Sequence, residues 1–147
     1  MAITPDIFSS PSRYIQGKGA IHELGTHLKK LGDNPLLVSD ETVWGIVEKQ
    51  LTDGFKEADL PLTRVGFERF ATAKAVDELT EKIKENDHDI MVGVGGGSAI
   101  DAAKAAGYLA DIKWASVPTA ASSDAPTSTL AVIYTCLLYT SDAADEG

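Results

Sequence analysis

Apolar residues recur along this chain in two alternating rhythms. Ile21, Leu24, Leu28 and Leu31 are spaced by threes and fours, the period of one helix face, and Gly32 and Pro35 close that segment. Pro35-Leu36-Leu37-Val38 is an unbroken apolar run, the pattern of a strand covered on both faces. Val43, Val47 and Leu51 mark a second helix, which Gly54 is expected to end. The cycle repeats with Leu62 to Phe67 as strand. A helix follows, capped by Thr72, with Val76, Leu79 and Ile83 on one face and an end near Asn86. A fourth unit places a strand at Ile90 to Val94 and a helix from Ser98 to about Leu109, and Lys113 to Val117 adds a further strand. Ahead of all these, Arg13-Tyr14-Ile15 predicts a short strand and Gly17/Gly19 a turn.

Strands that alternate with helices of ten or more residues need crossover connections, and crossovers make strands parallel with helices on both faces. The expected fold is therefore α/β: a doubly wound, mostly parallel, Rossmann-like sheet. No internal repeat, low-complexity stretch or linker interrupts the alternation.

Bulk properties narrow the function. A chain of 147 residues with 44% hydrophobic content suffices for one domain with a sizeable core. A net charge of -9 offers no basic stripe, which argues against nucleic acid and anionic membrane as partners. No apolar run approaches the roughly 20 residues of a spanning helix, and MAITPDIFSS lacks the character of a secretory signal, so a cytoplasmic location is expected. The single cysteine, Cys136, cannot form an internal disulfide or a Cys-based zinc site.

Chemistry concentrates in three stretches. In Val92-Gly93-Val94-Gly95-Gly96-Gly97-Ser98-Ala99-Ile100-Asp101 a buried strand runs through glycines directly into a helix. Residues without Cβ let the backbone approach a diphosphate, and the free N–H groups and dipole of the first helical turn favour negative charge. Ser98 is expected to cap this helix, with Asp101 completing a capping box. A glycine-rich turn also serves as a plain tight connection, so the motif alone leaves both roles open. The usual dinucleotide fingerprint puts the glycines after the first strand and an acid at the end of the second. The order is reversed in this chain, because Asp40 ends an earlier strand. Asp40 could accept hydrogen bonds from an adenosine ribose and repel a 2′-phosphate, or it could cap the helix starting near Thr42; both roles stand open. The third stretch, Val117 to Thr129, is dense in hydroxyls and small residues around Asp124. It suits a polar ligand, and a solvated loop has a similar composition.

These residues resemble the iron-containing, or group III, alcohol dehydrogenases. GGGSAIDAAKAAG at Gly95 to Gly107 is similar to the family's pyrophosphate motif, and VPTAASSDAPTSTLAVIYT at Val117 to Thr135 to its glycerol dehydrogenase branch. The resemblance implies that Asp40 meets the adenosine ribose of NAD. It places Gly96, Gly97, Ser98, Ala99, Ile100 and Asp101 along the diphosphate, and Thr119, Ser122, Ser128, Leu130 and Tyr134 against the rest of the cofactor. Asp124 matches a glycerol-contacting aspartate; Ser98 departs from the lysine of many glycerol dehydrogenases. The implied reaction is hydride transfer from glycerol to NAD, giving dihydroxyacetone, with zinc stabilising the alkoxide. In the family one aspartate and two histidines of a helical C-terminal domain hold that metal, and no such domain is present in this sequence. A homo-oligomer is expected of the full-length protein.

His22, His27 and His88 do not share a ligand spacing and are expected to be surface residues, while Trp44 and Trp114 suit packing. The segment Cys136 to Gly147 resembles translated sequencing-adapter read-through. The expected organisation is thus an NAD-binding domain at 1–135 and an artefactual tail at 136–147. Two alternatives accompany the glycerol dehydrogenase reading: a nucleotide-binding module without turnover, expected of the 147-residue chain itself, and a relative acting on another polyol or on glycerol-1-phosphate.

Overall fold

A computed structural model describes residues 19–67 and 71–119. Eight elements follow in order: α1 (Leu24–Lys29), β1 (Pro35–Ser39), α2 (Glu41–Glu57), β2 (Thr63–Gly66), α3 (Ala73–Glu85), β3 (Ile90–Gly95), α4 (Gly97–Ala110) and β4 (Lys113–Pro118). The four strands form one sheet in the order β2-β1-β3-β4. Every pairing is parallel, with Leu37 opposite Arg64, Val38 opposite Gly93, and Gly93 opposite Ser116. The predicted strand at Arg13 to Ile15 lies outside the described residues.

Side-chain alternation along the strands builds two cores. Leu37, Val92, Val94, Ala115 and Val117 face α1 and α2 and pack with Leu24, Leu28, Val43, Val47, Leu51 and Phe55. Leu36, Val38, Met91 and Trp114 face the other way, against Val76, Leu79 and Ile83 of α3 and Ala99, Ala102, Ala103 and Ala106 of α4. Every residue of β1 and β3 is buried, as expected of strands covered on both sides, whereas β2, at the sheet edge, is partly exposed. The doubly wound α/β expectation is met.

Helix endings follow a rule that the sequence pattern did not reveal. Gly54 does not end α2, which continues to Glu57. A Cβ at Gly54 would run into the backbone carbonyl of His22, and one at Gly25 would meet the Gly54 carbonyl at 3.0 Å. Gly54 therefore lets two helices touch backbone to backbone. The real terminators are aspartates: Asp59, Asp87 and Asp111 adopt left-handed φ values of 58, 54 and 59° just past α2, α3 and α4. In each case the next residue closes the helix through a bond reaching five residues back, from Leu60 N to Phe55 O, His88 N to Ile83 O and Ile112 N to Gly107 O. Asp tolerates this conformation better than most residues, which is why it replaces the commoner glycine.

The same closure corrects the expectation for His88, which is buried at 6% exposure instead of lying on the surface. It occupies the position after the left-handed residue, where a side chain folds back against its own helix, and its Nδ1 lies 3.1 Å from the Asn34 carbonyl. Its neighbour Asp89 accepts the backbone N–H groups of Asp33 and Asn34 at 2.8 and 2.9 Å, tying the α1–β1 loop to the start of β3.

Gly54→Val should destabilise the fold by about 2–3 kcal/mol, because neither backbone can retreat. Asp59→Gly should stabilise it by about 0.5–1 kcal/mol through relief of the left-handed strain. Urea denaturation of both variants, followed by far-UV circular dichroism, checks the pair; a neutral Gly54→Val would show that the helices are free to separate.

Candidate functional site

The sheet order places the site. β2 follows β1 on one side and β3 lies on its other side, so the connections leaving the carboxyl ends of β1 and β3 diverge and open a crevice between them. Continuing the β1–β3 register puts Asp40 level with Gly95. Two features more than fifty residues apart in sequence thus become the two lips of one cleft.

The glycines of the β3–α4 turn divide the work. A Cβ at Gly93 would lie 2.8 Å from Ala103 Cβ and 2.9 Å from the Ala99 carbonyl, so its absence lets α4 rest directly on β3. Gly95 has a φ of +137°, a conformation that side chains oppose. Gly96 and Gly97 are exposed, and a Cβ on either would meet nothing within 4 Å. The space above the turn is open, and the missing side chains leave it accessible to the backbone amides.

Those amides lack the caps found elsewhere. In α2 the Asp40 carboxylate accepts the Val43 N–H at 2.7 Å, and in α3 the Thr72 hydroxyl accepts the Ala75 N–H at 3.1 Å. The α4 N-cap is Gly96, with no side-chain cap bond and no acidic residue in the first turn. The first bond of the helix runs from Ile100 N to Gly96 O at 3.2 Å. The N–H groups of Gly97, Ser98 and Ala99 precede it and, with the positive end of the helix dipole, favour an anion in the crevice. The expected capping box is absent. A cap residue needs extended backbone, and Gly96 at φ -88° and ψ -171° supplies it, which leaves Ser98 already inside the helix.

The other site residues fall into distinct places. Ser98 and Ile100 are half-buried, Ala99 turns its methyl into the core, and Asp101 is exposed. Asp40 is half-buried; one carboxylate oxygen caps α2, while Oδ2 has no hydrogen bond among the described residues. The cap and the ribose roles are therefore geometrically compatible. Thr119 donates its N–H to the Gly95 carbonyl at 3.2 Å, which brings it beside the glycine turn, and its buried Oγ1 has no partner among the described residues. Ser122, Asp124, Ser128, Leu130 and Tyr134 lie outside those residues.

Sequence reasoning missed Arg64. It donates Nε to Ser39 Oγ at 3.1 Å and Nη2 to the Ser39 carbonyl at 2.9 Å, meets Glu41 Oε2 at 3.1 Å and stacks 5.0 Å from the Trp44 ring centroid. Its only sequence signal was a cation inside a predicted strand. Among the described residues no three His, Cys, Asp or Glu side chains gather to hold a metal. His22 instead meets Glu57 at 3.1 Å and His27 lies 3.8 Å from Glu23.

A parallel sheet with an uncapped, glycine-opened helix N-terminus at its strand-order reversal defines an α/β domain suited to binding an anionic ligand. Comparison with known proteins makes the class specific: the chain belongs to the iron-containing alcohol dehydrogenase family, whose model matches residues 11–137. It is 39% identical over 128 residues to a glycolaldehyde reductase of Halobacterium salinarum, covering 87% of this chain and 35% of that protein. It is 37% identical over 126 residues to a glycerol dehydrogenase of Pseudomonas putida, covering 86% of this chain and 34% of that one. Among solved structures, the glycerol dehydrogenase of Schizosaccharomyces pombe superposes with a TM-score of 0.69 at 26% identity, over 76% of this chain and 28% of its own. A probable glycerol dehydrogenase of Sinorhizobium meliloti gives a TM-score of 0.66 at 28% identity, over 79% of this chain and 31% of its own. The chain spans about a third of the length of these curated relatives.

Asp40→Ala should cost about 1 kcal/mol of stability through loss of the α2 cap, whereas Asp40→Ser, which can still cap, should cost a few tenths. Equal losses in thermal or urea unfolding would show that the cap does not hold the helix start.

Proposed function

We propose that the crevice binds NAD and that the whole protein is an NAD- and metal-dependent dehydrogenase of glycerol or a similar short polyol. The observation that carries this reading is the uncapped α4 N-terminus above Gly96 and Gly97, facing the Asp40 carboxylate across the strand-order reversal. The amides of Gly97, Ser98 and Ala99 would bind the diphosphate, with Asp101 beside it. Asp40 Oδ2 would accept from the adenosine ribose while Oδ1 keeps its cap. Thr119 Oγ1, buried without a partner, would be satisfied by the nicotinamide half. When bound, NAD supplies the acceptor for a hydride from the carbon bearing the substrate hydroxyl. Asp124, with Ser122, Ser128, Leu130 and Tyr134, is assigned to the substrate and nicotinamide side on the family resemblance alone.

The described residues do not fit a metal, so the zinc of the proposed reaction is assigned to residues outside them and no step is derived through it. We assign the nucleotide-binding unit to residues 1–135 and leave 136–147 outside it, a division that the family match ending at residue 137 supports. The 147-residue chain is then a binding unit without turnover. No helix among the described residues is long and apolar enough to cross a membrane; we place the full protein in the cytoplasm as a homo-oligomer. The glycolaldehyde reductase similarity favours a second substrate reading, reduction of a short hydroxyaldehyde by the same cofactor. Glycerol and glycolaldehyde both carry a hydroxyl next to the reacting carbon, so the two readings share a substrate class.

Titration of the 147-residue chain with NADH, followed by fluorescence, should give saturable binding. Gly97→Val should weaken it at least about tenfold by filling the cradle. Asp40→Ser, which preserves the cap, should weaken it by roughly tenfold through loss of a charged hydrogen bond. Unchanged affinity in both variants would remove NAD from this crevice.

A further inference from the structure

The nucleotide in the proposed site runs from the glycine turn at β3 to Asp40 at β1, and the next strand in that direction is β2. Arg64 lies on β2, and its guanidinium rests on the Ser39 carbonyl, the peptide that leads into Asp40. Its side chain is 16% exposed, while that of Glu41, its partner at 3.1 Å, is 78% exposed. Glu41 is therefore a freely hydrated carboxylate laid over a largely covered cation. The cluster stands at the carboxyl end of β2, since a Cβ on Gly66 would lie 3.2 Å from Glu41 Oε2 and 3.9 Å from Arg64 Nη2.

Arg64 has five N–H donors. Hydrogen bonds to Ser39 and the Glu41 pair engage three nitrogens, and among the described residues no further acceptor is recorded for the remaining N–H groups. A planar guanidinium with spare donors, stacked on Trp44, is a ready phosphate ligand. It bonds Ser39, the residue that precedes the carboxylate assigned to the ribose hydroxyls. The site thus holds a phosphate-binding cation beside the ribose position, together with the anion that neutralises it.

We propose that Arg64 is a masked 2′-phosphate ligand and that Glu41 is the mask, so that discrimination between NAD and NADP depends on the Glu41–Arg64 pair in addition to Asp40. The proposal rests on the NAD reading. With Glu41 in place, a 2′-phosphate meets two carboxylates and an occupied guanidinium. Without the Glu41 charge, Nη1 is released toward the same position, and a repulsive charge is removed at the same time. Selectivity against a wrong ligand is built by such repulsive elements as much as by favourable contacts.

The test is titration of the 147-residue chain and its Glu41→Gln variant with NADH and NADPH, followed by fluorescence. Glu41 is exposed, so Gln at this position leaves the cores untouched. The variant should shift the NADPH-to-NADH affinity ratio toward NADPH by roughly five- to tenfold. Adding Arg64→Met, which keeps an apolar stem against Trp44, should cancel that shift; circular dichroism confirms that the double variant is folded, and Arg64→Lys, which keeps the charge, should retain part of it. An unchanged ratio in Glu41→Gln, with NADH bound normally by the wild-type chain, overturns the proposal and leaves the NAD reading intact. A gain that survives Arg64→Met reduces the effect to lost repulsion and overturns the role of Arg64. Failure of the wild-type chain to bind NADH fells both readings together.

Discussion

The contact between Gly93 and α4 is the constraint on which the rest of this domain depends. A single methyl at that position would collide with Ala103 and with the Ala99 carbonyl. Because it is missing, the helix descends onto β3 at close to backbone distance, with Ala99, Ala102, Ala103 and Ala106 as its buried face. A helix this close must begin almost where the strand ends. Gly95 therefore reverses direction at φ +137°, and Gly96 serves at once as turn and cap. The amides of the first turn are left at the mouth of the crevice with no side chain to consume them. Close packing and anion affinity are two consequences of one missing group.

The opposite lip is arranged with less freedom. Asp40 must cap α2, and that bond at 2.7 Å fixes one carboxylate oxygen. Arg64 holds the preceding peptide through the Ser39 carbonyl, which also accepts the Phe67 N–H at 3.0 Å. The carboxylate is thus positioned from both sides, by the helix it starts and by the strand beside it. A ligand that uses the second oxygen meets a group whose orientation is already set, and preorganisation of this kind lowers the ordering cost of binding.

How much of this was legible in the sequence depends on the range of the interaction. Apolar spacing is local, so β1, β3, the faces of α2 and α3 and the doubly wound class could be read from it, as could the Thr72 cap. The glycine turn could be read because its chemistry is also local. Gly54 was misread because its reason is tertiary: it is glycine for the sake of the His22 carbonyl, more than thirty residues away. Ser98 was misread because cap preference is a propensity, and the packing of α4 on β3 moved the helix start to Gly97. His88 is a loop residue, as its position suggests, but the Asp87 closure folds it inward instead of leaving it on the surface. Arg64 showed in the sequence only as a cation within a strand, since its significance arises when β2 pairs with β1 and brings it to Ser39.

Two hydroxyls, one on β4 and one just past its end, are left without partners among the described residues. They are Ser116 Oγ and Thr119 Oγ1, and both are buried. An unsatisfied buried hydroxyl costs on the order of 1–3 kcal/mol, so a group that hydrogen-bonds either of them adds to the stability of this edge. Thr119 is bonded through its amide to Gly95, so whatever group satisfies its hydroxyl also lies against the glycine turn. Ser116 sits opposite Gly93, beneath the same helix. The Thr119 hydroxyl and the open donors of α4 therefore lie at the same carboxyl edge of the sheet, whereas Ser116 is enclosed beneath the helix. In the proposed NAD reading, the diphosphate would meet the α4 amides and the carboxamide would meet the Thr119 hydroxyl.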